Sequence, residues 1–440
     1  MDPITRFIAF AEGKEPYTPA GVGWMLSIGR SSSDTGYGID VFGGNIFVCG
    51  GLEDPSSNRT LAYIAKINSS GVIQWQRQID GSVANLKFED VVVDYGSGSS
   101  SPDVFAACRQ QNGYPAVAKY NFSGTLQWKT TIPISGYTFR AMTISQYDVI
   151  CVGKVSVAYG NAHHSHFDKG TGAPGNTGRS FGRTTSGGYN FQDARDVSST
   201  QDQGKFWTAG IYYSGGYNGW WNHHNASTAL SDSAYYSNCY FLGVKDIIEG
   251  GTRRVYCCGL HNSGGAVLVK VDYDYGNLIW ARRLDTDSST RFVSVTADGS
   301  DVYCVGYTAN YVSGNYDLLI AKYDSSGTLQ KQQVFRSSAS WEPAEKIIVD
   351  SNFIYIMSSS PTLAAGGSQE MFVIKLNKNL NYTATLPNGF ELANTSFASS
   401  TPSISKYSAS SVSDTTSNPG GSTWFATESA ASASSTLKQL

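Results

Sequence analysis

The stretch AYIAKINSSGVIQW, residues 62–75, decides the fold. It reads as an apolar strand ending in Lys-x-Asn, a tight turn carrying glycine, and a second strand that opens with an aromatic, which together describe a short-looped β-hairpin. The pattern returns as PAVAKYNFSGTLQW at 115–128, AVLVKVDYDYGNLIW at 266–280 and LLIAKYDSSGTLQ at 318–330, with a fainter copy, MFVIKLNKNLNY, at 371–382. A period of about fifty residues marks a repeat architecture. The turn chemistry explains the residues: Asn68, Asn121, Asp272, Asp324 and Asn377 can bond their own backbone, and Gly71, Gly124, Gly276 and Gly327 supply positive φ. These residues are turn formers before they are catalysts.

A second strand precedes each hairpin and aligns without gaps: NIFVCGG at 45, DVFAACR at 103, DVICVGK at 148, KFWTAGI at 205, RVYCCGL at 254, DVYCVGY at 301, FIYIMSS at 353 and STWFATE at 422. Its third position is Phe47, Phe105, Ile150, Trp207, Tyr256, Tyr303, Tyr355 and Trp424, a large residue once per unit as packed repeats require. Before it lies a further short strand, seen as YGIDV at 37, FEDVVVD at 88, FRAMTIS at 139, FVSVTAD at 292 and AEKIIVD at 344. Four strands per unit, repeated radially, predict an all-β fold, a single β-propeller domain over residues 1–440. The eight copies of the second strand predict eight blades, with seven as the alternative. In the eight-bladed reading, RFIAFA at 6–11 and WMLSIG at 24–29 act as third and fourth strands. Residues 1–29 and 402–428 then close one blade jointly, and 429–440 is a Ser/Ala-rich tail.

With 440 residues, 40% hydrophobic and only 15% charged, the chain can bury a large core. A net charge of -3 without a Lys/Arg cluster gives no footprint for nucleic acid. The start, MDPITRFIAFAEG, has no signal-peptide pattern, and no stretch reaches the length of an apolar membrane span, so no membrane insertion is expected. Seven scattered cysteines without CxxC read as small core residues.

The succession of second strand, loop and IAKxDSSGxxxW resembles the β-propeller repeats of large bacterial surface proteins and of structural proteins of tailed bacteriophages. AYIAKINSSGVIQW and LLIAKYDSSGTLQ carry that likeness. The resemblance implies a blade, not an activity. It also implies a virion protein assembled in the host cytoplasm, in multiple copies beside other virion proteins.

Several side-chain groups invite chemistry. DYDYGNLIW at 272–280 resembles the Asp-box turn of sialidases, which pair an arginine triad with a Tyr/Glu couple; Arg140, Arg195 and Arg291 fall in or near first strands, without a carboxylate pattern to accompany them. KINSSGVIQW resembles the tryptophan-docking turn of quinoprotein dehydrogenases, and Cys257-Cys258 would match a vicinal disulfide there, yet both sit in register in a second strand. No cofactor is expected. His164 and His166 share one strand face and are weak metal candidates, the default being a solvated strand face. The first strands should line the central channel, where Asp40, Glu89, Asp90, Arg140, Asp193, Arg195, Arg291 and Glu345 qualify as polar groups. Outside the strands, tyrosines dominate: Tyr159, Tyr189, Tyr212, Tyr213, Tyr217, Tyr307, Tyr311 and Tyr316 fall on loops expected at one face of the ring. Tyrosine among Gly, Ser and Asn is the composition of recognition surfaces. Within YYSGGYNGWWNHHN, residues 212–218 read as loop, and Trp220, Trp221, His223 and His224 as blade residues. The expected function is a non-enzymatic virion component, tail-associated, contacting host-surface glycan through that face. A purely architectural role and a glycan hydrolase using the channel are the alternatives.

Overall fold

Each hairpin stands where its motif puts it. A computed structural model describes residues 23–29, 33–54, 56–80, 85–95, 98–110, 114–132, 136–155, 162–175, 179–183, 191–199, 205–213, 217–224, 230–285, 289–309, 316–337, 342–361, 369–385, 390–408, 412–416, 422–423, 427–430 and 434–439. These form seven antiparallel sheets. Blade 1 spans residues 35–80, blade 2 86–131, blade 3 137–183, blade 4 191–236, blade 5 239–285 and blade 6 291–337. Blade 7 takes Ala344–Val349, Phe353–Ser360 and Glu370–Asn377, and its fourth strand is Trp24–Gly29, with Trp24 opposite Lys375. The first strand of every blade packs on that of the next, and blade 7 packs back on blade 1. The protein is a seven-bladed β-propeller.

The eight-bladed expectation is corrected here. Trp24–Gly29 is a fourth strand, as read, but it completes the blade begun at residue 344, and residues 402–428 join no common blade with it. RFIAFA lies outside the described residues. The tail instead visits every blade in turn: Phe390–Asn394 adds to blade 6, Ala398–Ser400 to blade 5, Lys406–Ser408 to blade 4, Val412–Thr416 to blade 3, Ser422–Thr423 to blade 2, Thr427–Ala430 to blade 1 and Ser434–Gln439 to blade 7. Every addition is antiparallel to the blade's own outermost strand. STWFATE matched a second strand by its alternation, but alternating Ser/Thr-rich sequence fits an open outer edge equally well. The belt pairs backbone groups that an uncovered edge would present.

The repeat motif holds the blades to one another. In the hairpin turns, Asn68 Oδ1 accepts from the Ser70 and Val72 N–H groups at 3.0 and 2.9 Å, and Asn121 and Asp324 make the equivalent bonds. The indole of the fourth strand then donates to the turn of the next blade: Trp75 to the Phe122 carbonyl at 3.0 Å, Trp128 to Lys169 at 3.4 Å, Trp280 to Ser325 at 3.0 Å and Trp24 to Ser69 at 3.0 Å. The turn glycine lies on that ring. At Gly124 (φ +80°) a Cβ would stand 2.5 Å from Trp75, and at Gly327 (φ +83°) 2.9 Å from Trp280. Glycine is therefore required twice over, for the left-handed backbone and for the close approach.

The large third-position residues Phe47, Phe105, Ile150, Trp207, Tyr256, Tyr303 and Tyr355 are buried between blades. Trp424 lies outside the described residues. All seven cysteines are buried free thiols, Cys257 and Cys258 included, in keeping with their reading as core residues.

Candidate functional site at the channel mouth

Every first strand is bulged at one position. Its register with the second strand skips a residue between Gly36 and Gly38, Phe88 and Asp90, Phe139 and Ala141, Ala194 and Asp196, Phe241 and Gly243, Phe292 and Ser294, and Ala344 and Lys346. The seven unpaired residues are Tyr37, Glu89, Arg140, Arg195, Leu242, Val293 and Glu345. An extra residue in a ladder leaves the pleat and re-aims its side chain. All seven line one cavity of about 1020 Å³, so the repeated bulge places one side chain per blade around the axis.

The next residue ties the ring together below the mouth. Asp90 Oδ2 accepts the Met142 N–H at 2.9 Å, Asp196 Oδ2 accepts the Val244 N–H at 2.9 Å, and Ser294 Oγ accepts the Ile347 N–H at 3.3 Å. Lys346 reaches across the axis to Asp90 at 2.5 Å. Burial works against its charge, but the carboxylates of Asp90 and Asp196 more than offset this and hold its pKa above the usual lysine range. Burial pushes Asp196 up to about 6. A smaller cavity of about 90 Å³ follows, lined in part by Asp40 and Tyr95, which are hydrogen bonded to each other.

The mouth carries both signs of charge. Buried Asp193 holds Arg140 Nε and Arg195 Nη2, each at 2.9 Å, on the rim. The Arg291 guanidinium lies 4.9 Å over the Tyr307 ring. Glu89 pairs with Lys87 at 3.3 Å and Arg109 at 3.4 Å, and Lys87 donates to the Tyr37 hydroxyl at 2.7 Å. Burial, with the Glu89 carboxylate beside it, pushes Glu345 up to about 8. At neutral pH Glu345 is thus mostly a neutral donor among fixed arginines and phenols.

Of the eight channel residues read from sequence, Glu89, Asp90, Arg140, Arg195, Arg291 and Glu345 line this mouth, Asp193 supports it, and Asp40 lies deeper. Of the tyrosines, Tyr213 and Tyr307 line the mouth, and Tyr316 sits edge-on to Tyr307 at 5.0 Å. Tyr212 does not belong to a contact surface. It lies one residue before the end of the strand Phe206–Tyr213, is buried, and packs 4.6 Å from Tyr235, because neighbouring strand residues point to opposite faces. Tyr217 begins the strand Tyr217–His224 rather than lying in a loop. Tyr159, Tyr189 and Tyr311 lie outside the described residues. Tyr37, Tyr240, Leu242 and Val293 were not read as site residues; aligning first strands at a fixed distance before the second would have exposed them.

The histidines are not solvated. His164 and His166 are buried, with Nδ1 of the first 3.0 Å from Nε2 of the second, and they pack against Phe206 and His224 of blade 4. Among the described residues no group of three or more His, Cys, Asp or Glu side chains could hold a metal ion. Trp220, Trp221 and His223 are buried blade residues, as expected.

No protein-family model matches the chain, and no curated protein matches it. Among solved structures it is similar to the extracellular domains 1-2 of Drosophila Semaphorin 1a, at TM-score 0.43 and 10% identity over 82% of this chain and 88% of that one. The WD40 domain of SCAP from fission yeast matches at TM-score 0.42 and 8% identity, over 83% and 97%. Quinohemoprotein alcohol dehydrogenase from Comamonas testosteroni matches at TM-score 0.42 and 8% identity, over 80% and 76%. Nothing about binding or catalysis passes from such distant likenesses to this chain.

Proposed function

We propose that this chain is a non-enzymatic recognition propeller, carried in multiple copies among the tail-associated proteins of a phage virion, that contacts host-surface glycan at the channel mouth. One observation supports the glycan part above the rest: Tyr37, Tyr213, Tyr240 and Tyr307 share the mouth with Arg140, Arg195 and Arg291. Phenol faces stack on sugar rings, while guanidinium and carboxyl groups bond their hydroxyls or acidic substituents. Weak single sites on many copies would add avidity. The virion placement rests on the repeat resemblance.

A glycan array on the isolated protein tests the reading. Replacing Tyr213 and Tyr307 by alanine should weaken binding about tenfold or more. Equal binding by both proteins would rule out the mouth, and a mouth facing inward in an assembled particle would favour the architectural role. A second reading draws support from Glu345, a carboxyl held largely protonated beside Glu89 as a general acid would be. Release of reducing sugar from bound glycan, lost in Glu345→Gln, would make that hydrolase reading the correct one.

A further inference from the structure

The third-strand lysine of the repeat has a polar partner in every blade that carries it but one. Lys119 pairs with Asp103 at 2.8 Å, Lys270 with Glu249 at 2.8 Å and Lys322 with Asp301 at 2.9 Å. In blade 3 the same slot holds His166, 3.3 Å from Asp148. Lys375 of blade 7 donates to the Ser69 carbonyl of the next turn at 2.9 Å. Among the described residues Lys66 of blade 1 makes no ion pair and no hydrogen bond through its ammonium group.

Two departures from the repeat leave it so. At the position of Asp103, Asp148 and Asp301, two residues before the large third-position residue, blade 1 has Asn45, whose amide donates back to the Phe42 and Gly43 carbonyls at 3.3 Å. In the next turn, at the position of Ser69 and Ser325, blade 2 has Phe122. Lys66 Nζ lies 3.3 Å from the centre of the Phe122 ring and 6.0 Å from that of Phe47. Only 9% of Lys66 is exposed, and burial lowers its pKa. A ring face offsets part of the cost of burying an ammonium group, less than a carboxylate does.

Lys66 borders an open cleft lined also by Gln74, Trp75, Arg77, Phe122 and Ser123. Among the described residues no carboxylate lines it, and none of its residues lines the mouth. The sister junctions show which group is missing: a carboxylate oxygen 2.8 to 2.9 Å from the ammonium. We propose that the cleft between blades 1 and 2 is a second binding site, which takes a carboxylated sugar with its carboxylate on Lys66. The Trp75 and Phe122 rings offer apolar surface to the sugar ring, and Gln74 and Ser123 offer an amide and a hydroxyl to its hydroxyl groups. An acidic side chain of another protein would use the cation alone.

The full chain is tested by saturation-transfer NMR against D-glucuronate and D-galacturonate, with D-glucose and D-galactose as neutral controls. The expected Kd for a uronate is on the order of 1 mM, with no response from the neutral sugars. Asn45→Asp restores the internal carboxylate of blades 2, 3 and 6, so it should weaken uronate binding about tenfold or more while melting no lower than the wild type. Asn45 lines no part of the mouth, so the difference reads this cleft alone. Lys66→Met, which keeps the bulk of the side chain without its charge, should weaken binding equally. Undiminished uronate binding by Asn45→Asp, an equal response to the neutral sugars, or no response to either uronate would overturn the site. A response to a polyglutamate peptide and to neither uronate would assign the cleft to protein carboxylates and overturn the sugar.

Discussion

Blades 1 and 2 are joined by a docked indole, whereas blades 3 and 4 meet through histidines. At the first junction Trp75 donates to the Phe122 carbonyl and covers Gly124, and Arg77 Nε adds a bond to the Gly124 carbonyl at 2.8 Å. At the second, the His224 ring stacks at 4.5 Å on Phe206, with His164 4.9 Å from His224. The first contact is a neutral hydrogen bond with an apolar cover and does not titrate. The second packs imidazole rings on a phenyl ring, so its cover is itself polar. One ring thus uses two chemistries for the same task.

The largest effect belongs to a tryptophan shared by both styles. Trp221 of blade 4 is fully buried, donates to the Tyr236 hydroxyl at 3.1 Å, and lies against Gly276 of blade 5. Trp221→Ala should cost about 4 kcal/mol in denaturant unfolding. A loss below about 1 kcal/mol would mean that blade 4 is not held by packing.

Acid acts next, at two histidines on the opposite faces of these strands, His163 beside Tyr137 and Phe139 and His223 beside Trp207 and Tyr273. Burial lowers His163 from 6.5 to about 4 and lowers His223 similarly, so folding favours their neutral forms. For such groups stability is complete above the unfolded value and is lost as pH falls from about 6.5 towards about 4, by up to about 3 kcal/mol for His163. His163→Gln should flatten that slope in melts across the window. If it does not, His163 is not the source.

Smaller effects probe the docked side. Gly124→Ala should cost about 2 kcal/mol, because a Cβ at positive φ also displaces the Trp75 ring, and indole fluorescence should shift to the red. Asn68→Ala removes two acceptor bonds in an exposed turn and should cost about 1 kcal/mol in the same unfolding assay. Neither change should alter the acid profile, which would bind the titration to His163 and His223.

The repeat was legible because its determinants are local. A turn residue, a glycine and a tryptophan lie within one hairpin, so AYIAKINSSGVIQW carries its own instructions. Trp24 could be placed in a fourth strand for the same reason. The blade number was not legible, since STWFATE holds the alternation of a strand but nothing that names its neighbour, and pairing of Ser422 with Thr131 spans most of the chain. At the mouth, the charged first-strand residues could be read but the bulge could not. A bulge exists only in the register between two strands, and Tyr37 looks like any other strand residue until that register is known.

The belt also sets an order in time. Its segments follow all seven blades in the chain, and the last of them binds Trp24–Gly29, which becomes a blade edge only once the ring has closed. A chain cut after residue 389 would keep every blade strand and lose every belt strand, leaving seven open edges, each a template for the tail of another copy. The last fifty residues act as the finishing step of assembly, and until they are laid down each ring is open to exchange with its neighbours.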